Sequence, residues 1–220
     1  ILPLNADQWR QLVDDICPGS GYDMGYDTEW MKWVRNDHPY QNNHNISLTH
    51  GTENFNMRAS VGANLQNSLI KETYNNNYNV NFSANQKALD GRLVFDLTLR
   101  ASQRDQKNIG GNVMSGALTY NPTFPGHLNE ETGKWDRDPN SMMAGHPGEA
   151  FDQPTYTTGN NMQASGKVTW NILDGLQLSA FGSYGRFLTA VKSYTPTTIS
   201  TSVGSATIRN IERTDMMGNI

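Results

Sequence analysis

The segment from Phe55 to Gln66 alternates apolar and polar residues without a break, and this pattern limits the fold more than any other feature. Successive side chains of an extended strand point to opposite faces, so the pattern predicts a strand with one apolar and one polar face. Ordinary strands have about 5–6 residues, whereas a strand that crosses a membrane needs about 9–11. The run has the length of a membrane-crossing strand.

The same alternation recurs along the chain, in residues 78–84, 93–101, 164–172 and 176–180. With weaker runs at each end, we predict seven strands in up-and-down order. They are placed at 44–50, 55–66, 76–87, 92–103, 162–172, 176–189 and 207–214.

Short and long connections alternate between these strands. Short turns are predicted at 51–54, 89–91 and 173–175, the last two containing Asp-Gly, which favours tight hairpins. The other connections, at 67–77, 104–161 and 191–206, are longer. Outer-membrane barrels have short periplasmic turns and long extracellular loops. An odd number of strands does not close a bacterial barrel, and open edges are costly in lipid, so we expect part of a larger barrel.

Composition agrees with this expectation. No segment approaches the roughly 18 apolar residues of a membrane helix, and the 17% of charged residues lies below the roughly 25% of soluble domains. The net charge of −4 includes no basic run, which argues against nucleic acid as a partner. The single cysteine, Cys17, has no metal or redox motif around it and is interpreted as structural. Both ends of the chain look cut, so a signal peptide would not be visible here.

Residues 5–40 differ from the rest. Asp7 to Val13 and Asp27 to Val34 suit short helices, each with Asp near a possible N-cap. On the predicted strand polarity they lie on the extracellular side.

Six short stretches stand out along the chain. They are 4–9 (LNADQW), 26–30 (YDTEW), 44–48 (HNISL), 51–62 (GTENFNMRASVG), 120–125 (YNPTFP) and 194–196 (YTP). Taken together, they resemble the SusC/RagA-like TonB-dependent transporters of the Bacteroidetes outer membrane. They occur in the order of that family and extend over nearly the whole chain.

The resemblance implies an all-β fold, an antiparallel up-and-down transmembrane β-barrel of about 22 strands around a plug. This chain would supply about seven strands after the plug, which is absent. Residues 1–43 would be an extracellular loop region with short helices, and residues 44–220 a partial barrel with a long external loop at 104–161. The implied function is import of an oligosaccharide or peptide across the outer membrane, driven by TonB, ExbB and ExbD, with a SusD-like lipoprotein as lid.

Candidate binding residues follow from this arrangement. The long loop carries aromatic side chains suited to sugar or peptide contact, or to packing within the loop or against the lid. They are Tyr120, Phe124, Trp135, Phe151 and Tyr156.

Four charged residues of the strands are expected to face the lumen, either toward the plug or as part of a hydrated wall. They are Arg58, Asp96, Arg100 and Lys167. Tyr78 and Trp170 are expected to be interfacial aromatics on the lipid face.

No metal, cofactor or catalytic group is predicted. Asp136, Asp138 and Asn140 begin like a calcium loop, but the later positions of an EF-hand do not match. An irregular calcium site in the external loop is left open. The five histidines have no metal spacing and are interpreted as solvated or interfacial.

Two other functions are open from the sequence. A soluble β-sandwich that recognises glycans would also show alternating strands, although it does not require all tight turns on one side. An outer-membrane barrel enzyme such as a lipase or protease would need a nucleophile with a base, and none is evident.

Overall fold

The computed structural model describes residues 3–20, 22–110, 113–138, 145–199 and 202–220. Seven strands form one antiparallel sheet in chain order, which confirms the all-β, up-and-down architecture. The strands are β1 (Tyr40–Gly51), β2 (Phe55–Asn67), β3 (Tyr74–Ala88), β4 (Leu93–Asn108), β5 (Thr155–Leu173), β6 (Leu176–Thr195) and β7 (Ser205–Asn219).

All seven strands are longer than predicted, and most of the added length lies at the long-loop end. Most of the added residues are polar: β1 begins at Tyr40 rather than at 44, and β5 begins at Thr155 rather than at 162. The long loop is therefore 109–154, not 104–161. An alternating sequence indicates that one face of a strand is apolar. Backbone hydrogen bonds between strands do not require an apolar face, so strands continue into polar residues that the sequence pattern does not mark.

The two Asp-Gly turns differ in backbone geometry. Leu89, Asp90 and Gly91 all have positive φ, so Asp90-Gly91 matches the expected type I′ turn. In the Asp174-Gly175 pair only Gly175 has positive φ (84°), and a register irregularity precedes it between Asn171 and Leu173. The second turn is therefore tight but not of that type.

The register divides the side chains into two faces. Directly opposed residues share a face, and Ala59, Phe82 and Leu99 are opposed across β2, β3 and β4. We call this the apolar face. Ser60, Asn81 and Arg100, also mutually opposed, define the polar face.

Four short helices lie outside the sheet. They are α1 (Ala6–Ile16), α2 (Trp30–Val34), α3 (Val113–Thr119) and α4 (Pro147–Phe151). The first two were predicted, but their caps were not: α1 is capped by Asn5, in a reciprocal bond pair with Gln8, and α2 begins at Trp30 without a side-chain cap. None of the helices in the described ranges is long and apolar enough to span a membrane.

These helices belong to a compact layer at the long-loop end, which we call the cap. It comprises residues 3–39 and 109–154 within the described ranges. Its hydrophobic core is separate from the sheet faces and is formed by Trp30, Val34, Val113, Ala117, Tyr120, Phe124 and Ala150. Most fully buried hydrophobic side chains of the described chain lie here, whereas the strands are half-buried or exposed.

Candidate functional site

Two segments almost 100 residues apart in sequence pair to build the cap. The backbone N–H groups of Tyr26 and Thr28 donate to the carbonyl oxygens of Thr123 (3.1 Å) and Pro122 (2.9 Å). The Thr28 hydroxyl donates to the Phe124 carbonyl oxygen at 2.6 Å. The stretches 26–30 and 120–125, both singled out in the sequence, are therefore structural partners.

Asn121 fixes this junction. Its side-chain amide donates to the Tyr22 carbonyl at 2.9 Å, and its Oδ1 accepts from the Thr123 backbone N–H at 2.9 Å. Its own carbonyl oxygen accepts from the Trp30 indole N–H at 2.9 Å. Asn121 is only 2% exposed, and these bonds satisfy the polar groups that burial would otherwise penalise.

The Trp30 ring occupies the centre of an aromatic cluster. Its centroid lies 5.4 Å from that of Tyr120 and 4.9 Å from that of His146, both edge to face. His146 also stacks on Trp135, with centroids 4.5 Å apart. Such pairs add to the burial of apolar area, so the cluster holds the long loop against the N-terminal segment.

His146 is buried in this cluster, which corrects the expectation that the histidines are solvated or interfacial. Its Nδ1 accepts from the Gly148 backbone N–H at 2.9 Å, so Nε2 carries the proton and donates to the Pro125 carbonyl at 3.0 Å. Burial disfavours the charged form and lowers the pKa of His146 to about 4. The imidazole is therefore a neutral structural group at pH 7.

An ion pair closes the other side of the cluster. Arg137 donates two bonds to Glu149, from Nε to Oε1 at 3.0 Å and from Nη2 to Oε2 at 2.9 Å, and the Glu149 side chain is 7% exposed. The hydrogen bonds to this carboxylate raise the pKa of Arg137. Next to it, the Trp135 indole donates to Asp152 Oδ2 at 2.7 Å. Because these groups are paired with one another, they stabilise the loop and are not available to bind a ligand.

The five predicted ligand-contact aromatics fall into two groups. Tyr120, Phe124 and Trp135 are buried in the cap, where they pack the loop as the alternative interpretation had it, and little of their surface is left for a ligand. Phe151 is half-buried, with its ring under the Lys71 ammonium, and Tyr156 is 41% exposed on β5 rather than in the loop. Ligand contact by the last two stays a prediction.

Two clefts border the cap. One, of about 630 Å³, lies between residues 3–5, which precede α1, and the helices α2 and α3, with Asp27, Glu29, Lys32 and Arg35 on its walls. The other, of about 460 Å³, separates the cap from the polar-face ends of β2, β3 and β4. Because Gln66, Asn75 and Gln106 line this second cleft, the cap lies over the polar face and leaves the apolar face uncovered.

The four charged strand residues lie together on the polar face. The strand register places all four on the same face: Arg58, Asp96, Arg100 and Lys167. Asp96 is directly opposed to Lys167. Asp96 Oδ1 also accepts from the Asn85 amide at 2.7 Å. Their facing a lumen, rather than open solvent, stays a prediction.

The apolar face is uncovered by any described residue. Val61 and Val80 at its centre are 58% and 50% exposed. Tyr78 and Trp170 lie on this face, as predicted, near the two limits of its apolar part. An exposed apolar area of this extent marks a surface that meets something other than water.

Metal and redox sites find little support in the described ranges. No group of three or more potential ligands among His, Cys, Asp and Glu is close enough there to hold a metal ion. Asp136 accepts a bond from the Asn129 amide at 3.0 Å, Asp138 pairs through its backbone with the Tyr120 hydroxyl, and Asn140 lies outside the described residues. Cys17, interpreted from the sequence as structural, is exposed.

Sequence reasoning missed Trp30, Asn121 and His146 as the organisers of the cap. For Trp30 and Asn121 the signal was the density of aromatic residues and proline in two distant segments, 22–40 and 120–125, whereas His146 lies outside both segments. No protein-family model matches the chain, and no curated protein sequence matches it significantly.

Proposed function

We propose that this chain is part of the wall of an outer-membrane β-barrel that imports a large nutrient, an oligosaccharide or a peptide. The apolar face contacts lipid, the polar face lines the lumen, and the cap lies at the extracellular mouth. The observation that carries this proposal is the diagonal course of the apolar band across the sheet.

The band is displaced toward the short turns across the sheet, although not equally at each step. In β2 the apolar run 55–65 is centred on Ser60, whose register line leads through β3, β4 and β5 to Gly185 in β6. The run of β3 is centred on this line, that of β4 lies three residues nearer the short turns, and that of β5 lies five residues nearer. Extended through Gly182 and Tyr184, which share its face, the apolar run of β6 (176–184) is centred on Ala180, also five residues nearer the short turns. A displacement of five residues, at about 3.4 Å each, across four strand spacings of about 4.8 Å corresponds to an average tilt of the strands of about 40° relative to the normal of the band.

This tilt is the one that a membrane barrel requires. Strands of outer-membrane barrels are inclined by about 35–45° to the membrane normal. The ten steps from Phe55 to Leu65 span about 34 Å along the strand, which projects to about 26 Å at that tilt, against an apolar band of about 25 Å in known barrels. At this slant, the apolar run of β2 therefore has the height of the apolar band of a bilayer.

Charged residues of the apolar side respect the same limits. Five charged residues lie on this side of the sheet, all beyond the apolar runs and toward the cap: Asp105, Lys107, Arg186, Lys192 and Glu212. Arg186 pairs there with Glu212 at 2.8 Å. A charge at mid-bilayer is costly, so this distribution supports a lipid boundary between the runs and the polar extensions.

The importer assignment rests on the resemblance to SusC/RagA-like transporters. Two of the stretches that carry the resemblance, 26–30 and 120–125, hydrogen-bond to each other in the cap. In the proposed barrel this pairing would shape the extracellular mouth. β1 and β7 are unpaired edges within the described sheet, and lipid does not tolerate free edges, so we propose further strands that complete a barrel of about 22. A plug, a TonB–ExbB–ExbD complex and a SusD-like lid are the proposed partners, and no enzymatic activity is proposed.

The competing function is a soluble β-sandwich that binds glycans. A sandwich needs a second sheet over the apolar face, and all strands of the described ranges belong to one sheet. Nor does a sandwich explain a band whose slant and height match a bilayer.

Extraction of native membranes tests the proposal. We expect the protein to stay in the membrane pellet after alkaline carbonate and after urea, and to be released only by detergent. A protein that enters buffer without detergent and remains monomeric there would contradict the membrane assignment and favour the sandwich.

A further inference from the structure

The charges of this chain are segregated, although its net charge is only −4. The polar face of the seven strands carries seven cationic side chains and two carboxylates, a net charge of +5. The cations are Arg58, Lys87, Arg100, Arg104, Lys167, Arg209 and Arg213, and the carboxylates are Asp96 and Asp215. All other parts of the chain together therefore carry −9, and the polar face is basic in an acidic protein.

Two of these cations share a concavity of about 330 Å³ near the middle of the polar face. Arg58 of β2 and Arg100 of β4 both line it, and its other polar side chains are hydroxyls and an amide from Ser60, Asn81, Ser83 and Thr98. Two strand spacings of about 4.8 Å separate the two arginines across the sheet. The concavity therefore offers hydrogen-bond donors from two sides and contains no carboxylate.

Neither guanidinium has an anionic partner within the described ranges. The ion pairs there involve other residues, and Asp96, the nearest carboxylate along β4, accepts its bond from Asn85. By contrast, the neighbouring Arg104 donates to Asn75 Oδ1 at 3.0 Å, and Arg213 pairs with Asp215 at 2.7 Å. Arg58 and Arg100 are both exposed to the space that the polar face borders.

We infer that this concavity binds an oxyanion, a carboxylate or sulfate group, between Arg58 and Arg100. Guanidinium groups bind such anions through paired N–H donors, and hydroxyl and amide groups complete the coordination without an opposing charge. The anion belongs either to an acidic solute in the lumen or to an acidic side chain of another part of the barrel protein. The inference rests on the proposed function, because it takes the polar face as the lumen wall.

The test uses the full-length protein in detergent micelles and three variants, Arg58→Gln, Arg100→Gln and Arg209→Gln. Arg209 is the matched control, a polar-face arginine on β7 outside the concavity. Binding of a sulfated hexasaccharide and of its unsulfated counterpart is measured by calorimetry, and the unfolding midpoint is measured without ligand. We expect Arg58→Gln and Arg100→Gln each to weaken binding of the sulfated probe by about tenfold or more, because each substitution removes charge-assisted hydrogen bonds to the anion. Arg209→Gln should change it less than about twofold, because exposed charges beyond about 10 Å are largely screened.

The two sources of the anion give different results. A solute site yields the affinity loss just described. An internal carboxylate yields a wild type that binds neither probe, but an unfolding midpoint that falls in Arg58→Gln and Arg100→Gln and not in Arg209→Gln. If the probe affinity and the unfolding midpoint each change by the same amount in Arg58→Gln, Arg100→Gln and Arg209→Gln, the proposed oxyanion site is wrong. That result leaves detergent-dependent extraction unchanged, so it is distinct from failure of the membrane proposal.

Discussion

Single residues of the cap show how a mostly polar chain builds a small core. His146, Asn121 and Glu149 are buried, and each is fully engaged: the histidine by backbone groups, the amide by Tyr22 and Thr123, and the carboxylate by Arg137. A buried polar group that loses its partner costs about 1–3 kcal/mol. These bonds therefore satisfy the three polar groups that are buried among the aromatic rings, and the cap depends on each pairing. Elsewhere in the cap, the Trp9 indole N–H is buried without a hydrogen-bond partner among the described residues.

His146 predicts a pH dependence of cap stability. Its folded pKa of about 4 lies below the ordinary value of 6.5, so the unfolded cap binds more protons between these values. Stability from the neutral imidazole is complete above about pH 6.5 and is lost as the pH falls toward 4, by about 3 kcal/mol in total. Hydrogen exchange of the 26–28 amides should report this loss. His146→Gln should make cap stability nearly independent of pH in this range, whereas the exposed control His127→Gln should keep the pH dependence of the wild type. An equal change of stability with pH in the wild type and both variants would rule out this role of His146.

Gly148 predicts a packing limit at the start of α4. A Cβ at this position would lie 2.5 Å from two ring carbons of Trp135, so Gly148→Ala forces the indole or the helix to move. Overpacking of this kind costs about 1–3 kcal/mol, and the Trp135–His146 stack should be disturbed. Near-ultraviolet circular dichroism and the unfolding midpoint measure both effects. Gly182→Ala in β6, where a Cβ would have open space, is the control. If the two substitutions lower the unfolding midpoint equally, Trp135 is not tightly packed against Gly148.

Strands are the elements in which the two faces act differently, and β2 offers adjacent positions for comparison. Val61 lies on the apolar face near the centre of the band, and Ser60 lies on the polar face at the same depth. A lysine on the lipid side of a barrel costs about 2–4 kcal/mol at mid-bilayer, whereas a lumen position tolerates it. Val61→Lys should therefore impair folding of the full-length protein into lipid vesicles, and Ser60→Lys should not. Equal behaviour in a urea titration of the two variants would contradict the assignment of faces.

Elements were predictable where burial is periodic and not elsewhere. The alternation in 55–66 and the Asp90-Gly91 turn placed β2, β3 and β4 and their order correctly. The polar starts of β1 and β5 were missed, because backbone pairing there continues past the apolar band and leaves no trace in residue type. The short helices α3 and α4 were missed for a similar reason, since one or two turns carry too little periodicity to be recognised.

The cap could not be derived from the sequence, because its defining contacts are long-range. Thr28 and Pro122 meet across the cap, and neither segment is regular enough to predict a partner. The resemblance identified both stretches as characteristic but not as a pair. Trp30 and Tyr120 were visible only as aromatic residues in loops, where packing and ligand binding predict the same composition.

At the scale of the whole molecule, the sheet and the cap serve different purposes. The cap has its own core and meets the polar face at the long-loop end, whereas the apolar face stays uncovered along the sheet. In the proposed barrel the apolar band would contact lipid, and the basic, amide-rich surface would line the lumen. This proposal depends on the apolar face of the sheet meeting lipid.

Spin-label accessibility along β2 tests that claim most directly. Cys17, the single cysteine and an exposed one, is first replaced by serine, and a nitroxide is then placed at each position from 55 to 66 of the full-length protein in lipid vesicles. We predict that collision with oxygen, which concentrates in lipid, is high at odd positions and peaks near 59–61. Collision with a water-soluble nickel complex should be high at even positions. A profile without this two-residue period, or odd positions more accessible to nickel than to oxygen, would contradict the account.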